Sequence, residues 1–372
     1  RDQPPAAPER AAAHLRHTPP SPEKPADKAS PAPRRLRRPK PHNPDMHLGA
    51  CGGLGQQEGE EIFRRAPFVD LVIGPRSTAS LPVLMERVRS GESDVSLRVD
   101  TEYRRDSIDF PFEDIRREGE SGGKAFVTII EGCNHRCTFC IVPRTRGKEV
   151  CRPMDDILAE VRQLADRNIL EVEFLGQTVN AYRDGDGNGL AELLSATARI
   201  DGIERIRFTT SHPAQMTGRL MDAMAEAGTK VAPFLHLPVQ SGSSSVLKDM
   251  RRGYDRETYL DKVRGLRERI PGICLGTDII VGFPTESEDD FRQTLTLMEE
   301  VRFHSCYRFT SSPRPGTASE AFHDQVPLEE KGVRLQELQR LQKGIQEALH
   351  RPWIGRSVEV LVEGVSKNDP SR

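Results

Sequence analysis

The sequence predicts an α/β fold built on a parallel sheet that forms a closed or partly open barrel. Between residues 124 and 312, runs rich in β-branched and aromatic residues alternate with segments of helical periodicity. Six such units follow one another, and strands separated by helices pair in parallel. The most informative polar residues stand where a predicted strand ends. In barrels of this kind, that edge carries the chemistry.

Each element follows from a local pattern of residues. Apolar runs predict strands over residues 124–132, 171–177, 205–211, 233–242, 273–284 and 303–312. Apolar residues at helical spacing predict helices over residues 154–168, 190–200, 218–228, 256–270 and 290–301. Thr285 and Glu288 have the spacing of a capping box before the last of these helices.

The composition is that of a soluble protein of two or three domains. The chain has 372 residues, 36% of them hydrophobic and 30% charged, with a net charge of −2. It contains neither a run of about 18 apolar residues nor a secretory signal, which argues against membrane insertion and export. Seven cysteines, an odd number clustered at one place, do not resemble a disulfide framework. They favour a reducing cytoplasm.

The beginning of the chain differs from the rest. The first 44 residues hold 12 prolines and a basic run, residues 33–41. Such a segment cannot bury enough apolar surface to offset its ordering entropy, so residues 1–47 are predicted to be disordered. The basic run could contact RNA or could simply be solvated.

The segment EGCNHRCTFC places Cys133, Cys137 and Cys140 in one loop after the first predicted strand. A structural zinc site needs four ligands, and His135 would be an awkward fourth one inside the loop. A disulfide would leave one thiol idle, and packing does not explain three clustered thiols. An iron–sulfur cluster with one open iron explains them best. Phe139 is either an apolar lid over a cofactor ring or a packed aromatic residue.

The pattern C-x3-C-x-aromatic-C resembles the signature of the radical S-adenosylmethionine superfamily. This resemblance implies that Cys133, Cys137 and Cys140 hold a [4Fe-4S] cluster whose open iron binds the amino and carboxylate groups of S-adenosylmethionine. It further implies that an electron from the cluster cleaves this cofactor to a 5′-deoxyadenosyl radical. The superfamily's partial (βα)6 barrel agrees with the six units counted above.

A narrower resemblance covers about residues 56 to 368. The segments GCNHRCTFC, FLGQTVNAY, RIRFTTSHP, HLPVQSGS, RRGY, TDIIVGFPTE and SPRPGT occur in the order found in methylthiotransferases. The segment GQTVNAY is similar to the tRNA-modifying MiaB-type branch, with Thr178 in place of the usual Asn. The resemblance implies addition of a methylthio group to carbon 2 of an isopentenylated adenosine beside the tRNA anticodon. It also implies a second S-adenosylmethionine as methyl donor. A reducing electron donor and a monomeric enzyme are expected as well.

Further candidate site residues are polar or basic groups near the strand ends. Four of them are expected to orient the cofactor or the base, or else to satisfy loop backbone: Gln177, Asn180, His236 and Gln240. Arg144, Arg146 and Lys148 could attract tRNA phosphate or the cofactor carboxylate, or form a solvated basic loop. Cys274 and Cys306 are predicted to be buried small hydrophobes, and Cys151 to be incidental.

The sequence departs from the methylthiotransferase pattern at both ends. The family holds an auxiliary cluster on three N-terminal cysteines, and only Cys51 stands near one of those positions. Residues 48–118 therefore resemble a remnant of the N-terminal domain, residues 119–351 the radical core, and residues 352–372 a truncated TRAM β-barrel. Full activity of this chain is then in doubt. Two other functions stay open, a ribosomal-protein aspartate methylthiotransferase and a catalytically silent RNA-binding relative.

Overall fold

The computed structural model describes residues 46–102 and 123–362. These residues form an N-terminal unit, a larger barrel and a short C-terminal segment. The predicted disordered segment lies outside the described residues except for its last two positions. None of the helices in the described ranges is both long and apolar enough to cross a membrane.

The N-terminal unit is a small parallel sheet with helices beside it. Its elements are β1 (Gly49–Cys51), α1 (Gly53–Glu58), α2 (Glu61–Arg65), β2 (Leu71–Ile73), α3 (Leu81–Arg89) and β3 (Val99–Asp100). The strands lie in the order β1-β2-β3. Buried residues form two small clusters, Ile62, Phe63, Val69 and Val72 in one, and Leu71, Ile73 and Leu84 in the other. Consecutive residues of β2 thus serve different clusters, as the alternation of side chains along a strand requires.

The larger unit is built on six parallel strands. The strands of this part of the chain are β4 (Lys124–Thr128), β5 (Ile130–Glu131), β6 (Val150–Cys151), β7 (Glu171–Leu175), β8 (Arg205–Phe208), β9 (Phe234–His236), β10 (Cys274–Val281) and β11 (Ser305–Thr310). Strands β4-β7-β8 and β9-β10-β11 form two parallel sheets, and β5 pairs antiparallel with β6. A bridge between Ile206 and Val231 links the two parallel sheets. Within the described residues β4 does not pair with β11, so the barrel is partly open.

The longer helices pack against this sheet, and short helices lie in the connecting segments. They are α4 (Val142–Thr145), α5 (Met154–Asp166), α6 (Leu190–Thr197), α7 (Gly218–Glu226), α8 (Ser244–Asp249), α9 (Arg256–Arg269), α10 (Glu288–Val301) and α11 (Leu328–His350). Short 3₁₀ turns occupy Thr78–Ser80, Val95–Arg98, Val179–Ala181, Pro213–Gln215, Gly228–Lys230, Ala318–Ala321 and Arg351–Trp353.

One continuous apolar cluster lies between the barrel sheet and its helices. Val127, Phe174 and Ile206 from three neighbouring strands are fully buried there, together with Leu193 and Leu266 from the helices. Burying a side chain of this size stabilises the fold by about 1.5–3 kcal/mol. The large, continuous cluster makes the barrel a firm support for loops at its carboxyl edge.

The structure corrects several predicted elements. The fourth barrel strand is only residues 234–236 because Pro238 and the left-handed Gln240 (φ 78°) interrupt it. The predicted capping box was wrong, since α10 begins after Ser287, whose hydroxyl and backbone exchange hydrogen bonds with Asp290. Glu286 belongs to the preceding turn, where its N–H donates to the Phe283 carbonyl at 2.8 Å. Helices α8 and α11 were not predicted.

The C-terminal segment forms no strand over residues 355–362, although an opening TRAM strand was predicted there. Most of these residues are exposed, including Val358, Val360 and Val362. The remainder of the predicted domain, residues 363–372, lies outside the described residues. The assignment of residues 352–372 to a TRAM domain therefore stays a prediction.

Candidate functional site

The cysteine loop lies at the carboxyl edge of the barrel, between β5 and β6. The N–H of Cys133 donates to the Gly147 carbonyl at 2.9 Å, and Asn134 exchanges hydrogen bonds with Glu149. Gly132 enters the loop at φ 81°, and a Cβ added there would stand 2.1 Å from the Lys148 carbonyl oxygen. Only glycine fits this close approach, so the loop's path depends on it.

Each of the three thiols in the loop meets a hydrogen-bond donor. Cys133 Sγ lies 3.3 Å from the Thr178 hydroxyl oxygen, and Cys137 Sγ accepts from Arg252 Nη1 at 3.2 Å. Cys140 is approached by the backbone N–H of Val142. Donors aimed at sulfur favour the thiolate, which is the form that binds metal.

Burial opposes this effect. Burial raises the pKa of Cys140 and outweighs the N–H of Val142, which lowers it. With the smaller increases caused by Cys137 and Cys133, the pKa reaches about 11. Burial also raises the pKa of Cys133, against the donors of Thr178 and His135. A bound cation takes the place of the thiol proton, so a partly buried trio of this kind suits metal coordination.

Arg252 brings a buried positive charge to the loop. Arg252 is only 6% exposed. Its guanidinium donates to the Tyr254 hydroxyl, to the Pro238 carbonyl and to the Cys137 sulfur. Among the described residues it forms no ion pair with a carboxylate. A buried charge is costly without an anionic partner, and in the described part of the chain the only candidate within hydrogen-bond distance is the Cys137 sulfur. The surroundings therefore favour an anionic group at the thiols.

A cluster fits this donor set better than a single metal ion does. In the described ranges, no three His, Cys, Asp or Glu side chains are placed to hold one ion together. In a [4Fe-4S] cluster each thiolate binds a different iron, so the sulfurs need not converge on one point. His135, the alternative zinc ligand, stacks on the His212 ring with 3.8 Å between centroids. All seven cysteines are free, which excludes the disulfide alternative.

His212 adds an unsatisfied polar group beside the loop. Its Nδ1 accepts from the Ala214 N–H at 3.2 Å, while its buried Nε2 has no partner in the described part of the chain. Burial, with the nearby Arg252 and His135, lowers the pKa of His212 to about 2, so the ring is neutral and Nε2 carries the proton. A buried donor without an acceptor is costly. This is a second sign that the surroundings of the loop are built for an additional group.

The other predicted site residues mostly hold the protein's own backbone. Gln177 Oε1 accepts from the Gly132 N–H at 2.6 Å and thereby anchors the start of the cysteine loop. Asn180 exchanges two hydrogen bonds with the backbone of His212, at 2.8 and 2.9 Å. Phe139 packs against the cluster of Val246, Met250 and Phe283. Cofactor binding by Gln177, Asn180 and Phe139 stays a prediction, and all three have structural contacts.

His236 and Gln240 lie on the fourth strand and just beyond it. His236 Nε2 is 2.9 Å from Asp278 Oδ1 on the neighbouring strand. Gln240 uses its backbone to bond with Asp278 and Ile280, while its side-chain amide bonds to no described residue. The residue as a whole is buried. Of the predicted polar group, Gln240 thus has the side chain most available to a ligand.

The remaining cysteines and basic residues lie in varied surroundings. Arg144 donates to the Gly316 carbonyl at 2.6 Å, Arg146 is half-buried and Lys148 is exposed. Cys306 is buried in the core as predicted, whereas Cys274 and Cys151 are half-buried. Cys51 is exposed at the end of β1 and is the only cysteine of residues 46–102. Its role in an auxiliary cluster stays a prediction.

Comparison with known proteins agrees with this geometry. A sequence model of the radical SAM superfamily matches residues 127–298. The tRNA-2-methylthio-N(6)-dimethylallyladenosine synthase of Halorhodospira halophila is 45% identical over 348 residues, which cover 90% of this chain and 70% of that protein. The synthase of the same name from Bordetella pertussis is 45% identical over 343 residues, 91% of this chain and 75% of its own length. This chain belongs to their family.

Solved structures support the fold of this family member. A radical S-adenosylmethionine methyltransferase, TsrM, from Kitasatospora setae, solved with cobalamin and a [4Fe-4S] cluster bound, matches with a TM-score of 0.57 at 16% identity. The match covers 79% of this chain and 61% of TsrM. At that identity the likeness shows the fold alone. It confirms the predicted radical SAM α/β fold.

Sequence reasoning assigned no contact with the cysteine loop to Arg252, Thr178 or His212. Arg252 and Thr178 were seen only as parts of longer motifs, with Thr178 noted as a departure from the usual Asn, whereas His212 directly follows the strand predicted over residues 205–211. In the sequence, each of these residues follows a strand or turn that returns to the carboxyl edge. No other feature indicated that it would lie beside the cysteine loop.

Proposed function

We propose that this chain is a tRNA methylthiotransferase that adds a methylthio group to carbon 2 of N6-isopentenyladenosine next to the anticodon. The observation that carries the proposal is the loop of three thiols, each of which lies beside a hydrogen-bond donor. The chain is also 45% identical, over 90% of its length, to a tRNA-2-methylthio-N(6)-dimethylallyladenosine synthase. The names of these relatives support tRNA as the substrate over a ribosomal-protein aspartate. The intact thiol loop argues against a catalytically silent RNA-binding protein.

In this proposal Cys133, Cys137 and Cys140 hold the [4Fe-4S] cluster. When bound, the cluster supplies the single electron that cleaves S-adenosylmethionine, which provides the reactivity needed at an unactivated aromatic C–H bond. Gln177 fixes the loop through the N–H of Gly132, and Arg252 sets a positive charge against Cys137. These contacts orient the ligands before the cofactor arrives.

The side chains near β9 and β10 contribute to orientation. Only the backbone of Gln240 bonds to the neighbouring strand. Its side-chain amide is therefore free to bond with the cofactor or the base. The ring of His236 is fixed by its Nε2, which donates to the Asp278 carboxylate at 2.9 Å. Arg144, Arg146 and Lys148 beside the loop give the site mouth a positive charge for tRNA phosphate.

The proposal also includes partners and a compartment. Its partners are the tRNA anticodon stem-loop and a low-potential electron donor, and the enzyme acts as a monomer. Its seven free thiols fit the reducing cytoplasm. Cys51 is the candidate ligand of an auxiliary cluster.

The test is anaerobic reconstitution with iron and sulfide, followed by metal analysis and assay with S-adenosylmethionine, dithionite and isopentenylated tRNA. We expect about four irons per chain, release of 5′-deoxyadenosine and methylthiolated adenosine detected by mass spectrometry. Iron clearly above four would support a second cluster near Cys51. Cofactor cleavage without methylthiolation would limit the function to the radical step. Zinc in place of iron, or a colourless protein, would contradict the proposal.

A further inference from the structure

The two side-chain donors at the cysteine loop differ in charge. Thr178 offers a neutral hydroxyl to Cys133 at 3.3 Å, and Arg252 offers a cationic guanidinium to Cys137 at 3.2 Å. Both donor residues are buried, 3% and 6% exposed, and Cys137 is buried while Cys133 is half-buried, so water screens the Arg252 contact least. The two contacts come from different parts of the barrel, 45 and 115 positions along the chain from their cysteines.

The direction of both hydrogen bonds is fixed once the sulfurs bind iron. A thiolate sulfur carries no proton, so the Thr178 hydroxyl must donate to it, and a guanidinium can only donate. The hydroxyl of Thr178 makes no other hydrogen bond to a described residue, which leaves it free to turn toward Cys133. Arg252 is held in place by Tyr254 and Pro238, at 2.9 and 3.0 Å.

We propose that Thr178 and Arg252 set the reduction potential of the cluster, by raising it through hydrogen bonds to two of its three ligating sulfurs. This inference rests on the proposed function, because it requires the cluster. Reduction transfers one electron from a low-potential one-electron reductant to the cluster, with no proton taken up. The added negative charge spreads onto the sulfurs, and donors aimed at them stabilise the reduced form more than the oxidised one.

The two donors contribute unequally. The buried charge of Arg252 acts on the added electron directly as well as through its hydrogen bond, so its contribution is the larger. Thr178 acts through the hydrogen bond alone. Both are positioning residues, since they reach the irons only through Cys137 and Cys133.

The experiment is a redox titration of the reconstituted protein, with the reduced cluster followed by electron paramagnetic resonance. Thr178→Val removes the hydroxyl at almost constant volume. It should lower the midpoint potential of the cluster. At a fixed solution potential, the ratio of reduced to oxidised cluster should then fall roughly three- to tenfold. Thr178→Ser keeps the hydroxyl and should restore the wild-type ratio.

Thr197→Val provides the matched control. Thr197 is fully buried on α6 and its hydroxyl has no partner in the described part of the chain. The same substitution there should leave the potential unchanged. Arg252→Gln, which keeps an amide donor but removes the charge, should lower the potential more than Thr178→Val does.

The outcomes separate this inference from the proposed function. A fully loaded Thr178→Val protein with the wild-type potential would overturn the inference and leave the proposed function standing. Failure of the wild-type protein to bind a cluster would overturn both. If Arg252→Gln does not fold, the serine and valine variants at position 178 still decide the matter.

Discussion

The N-terminal unit and the barrel both place helices beside a parallel sheet, but they bury apolar side chains differently. The barrel gathers most of its buried apolar residues into one large continuous cluster between sheet and helices, with a smaller cluster of Val246, Met250 and Phe283 beside it. The N-terminal unit divides its own into two small clusters. Small, separate clusters stabilise a fold less than one large core does. The barrel is therefore the part able to hold a site rigidly.

The two regions meet at the cysteine loop. Helix α1 packs against α4, which follows the three cysteines directly. Arg76 of the N-terminal unit donates to the Lys148 carbonyl at 3.1 Å and lies 3.5 Å from the Glu131 carboxylate. The barrel supplies the thiols and their donors, and the N-terminal unit covers one side of the loop. The comparison thus predicts that chemistry depends on barrel residues while the N-terminal unit can loosen separately.

The largest expected effect concerns a thiol of the barrel loop. Cys137→Ala should abolish S-adenosylmethionine cleavage, because under the proposed function the cluster loses a ligand. Arg252 would also lose the one anionic partner that the described residues offer it. The measurement is 5′-deoxyadenosine release together with iron per chain. Cys306→Ala is the matched control, since Cys306 is 8% exposed and Cys137 9%, but Cys306 lies in the apolar core. Undiminished cleavage by the Cys137 variant would reject its role as a ligand.

Much of the barrel could be predicted because its signals are local. Six apolar runs with helical segments between them are visible in the sequence, and the structure has six parallel strands in that order. The capping box was not decidable locally, since Thr285–Glu288 and Ser287–Asp290 have the same spacing. Tertiary contacts of Glu286 determine where α10 begins. Its carboxylate accepts hydrogen bonds from the Gly282 N–H and the Arg334 guanidinium, which hold Glu286 in the turn before the helix.

The site was predictable only in part, because some of its contacts are local in the sequence and others form only in the folded chain. The three cysteines stand within eight positions and could be grouped without any structure. Arg252 reaches Cys137 across 115 positions, which depends on how the strands curve. Asn180 was predicted at the site because of its place after a strand, yet both polar atoms of its side-chain amide hold the His212 backbone. Position along a strand predicts nearness to the site and leaves the partner undetermined.

A second prediction tests the difference in packing. Phe174→Ala in the barrel core should cost about 3–5 kcal/mol of unfolding free energy, since the fully buried ring leaves a cavity in a continuous cluster. Phe63→Ala should cost less, because its cluster is small and Phe63 is 8% exposed where Phe174 is fully buried. Urea unfolding measures the first effect. Hydrogen exchange should show that the Phe63 change loosens residues 46–102 and spares the barrel.

Equal loss of exchange protection in both regions after either substitution would contradict this prediction. It would mean that the N-terminal unit and the barrel unfold as one cooperative body. The contacts of Arg76 and α1 at the cysteine loop would then couple the two units more strongly than their separate clusters indicate.

The smallest expected effect is a pH dependence within the barrel alone. Burial would raise the pKa of Asp290, but hydrogen bonds from the hydroxyls of Ser243, Ser245 and Ser287 outweigh it and lower the pKa to about 2. A carboxyl whose pKa is lower in the folded state stabilises the fold above its ordinary value of 3.8. That contribution should disappear as the pH falls from about 4 to about 2.

Asp290→Asn should therefore remove part of the acid dependence of stability, measured as urea midpoints at several pH values in that window. Asp289→Asn is the control, because Asp289 is the preceding residue of α10 and its side chain is 88% exposed. The Ser243 hydroxyl ties the loop after β9 to α10 through Asp290, at 2.5 Å. If the Asp290 variant keeps the full wild-type acid dependence, this connection adds nothing to the barrel's stability, and the apolar cluster alone accounts for its advantage over the N-terminal unit.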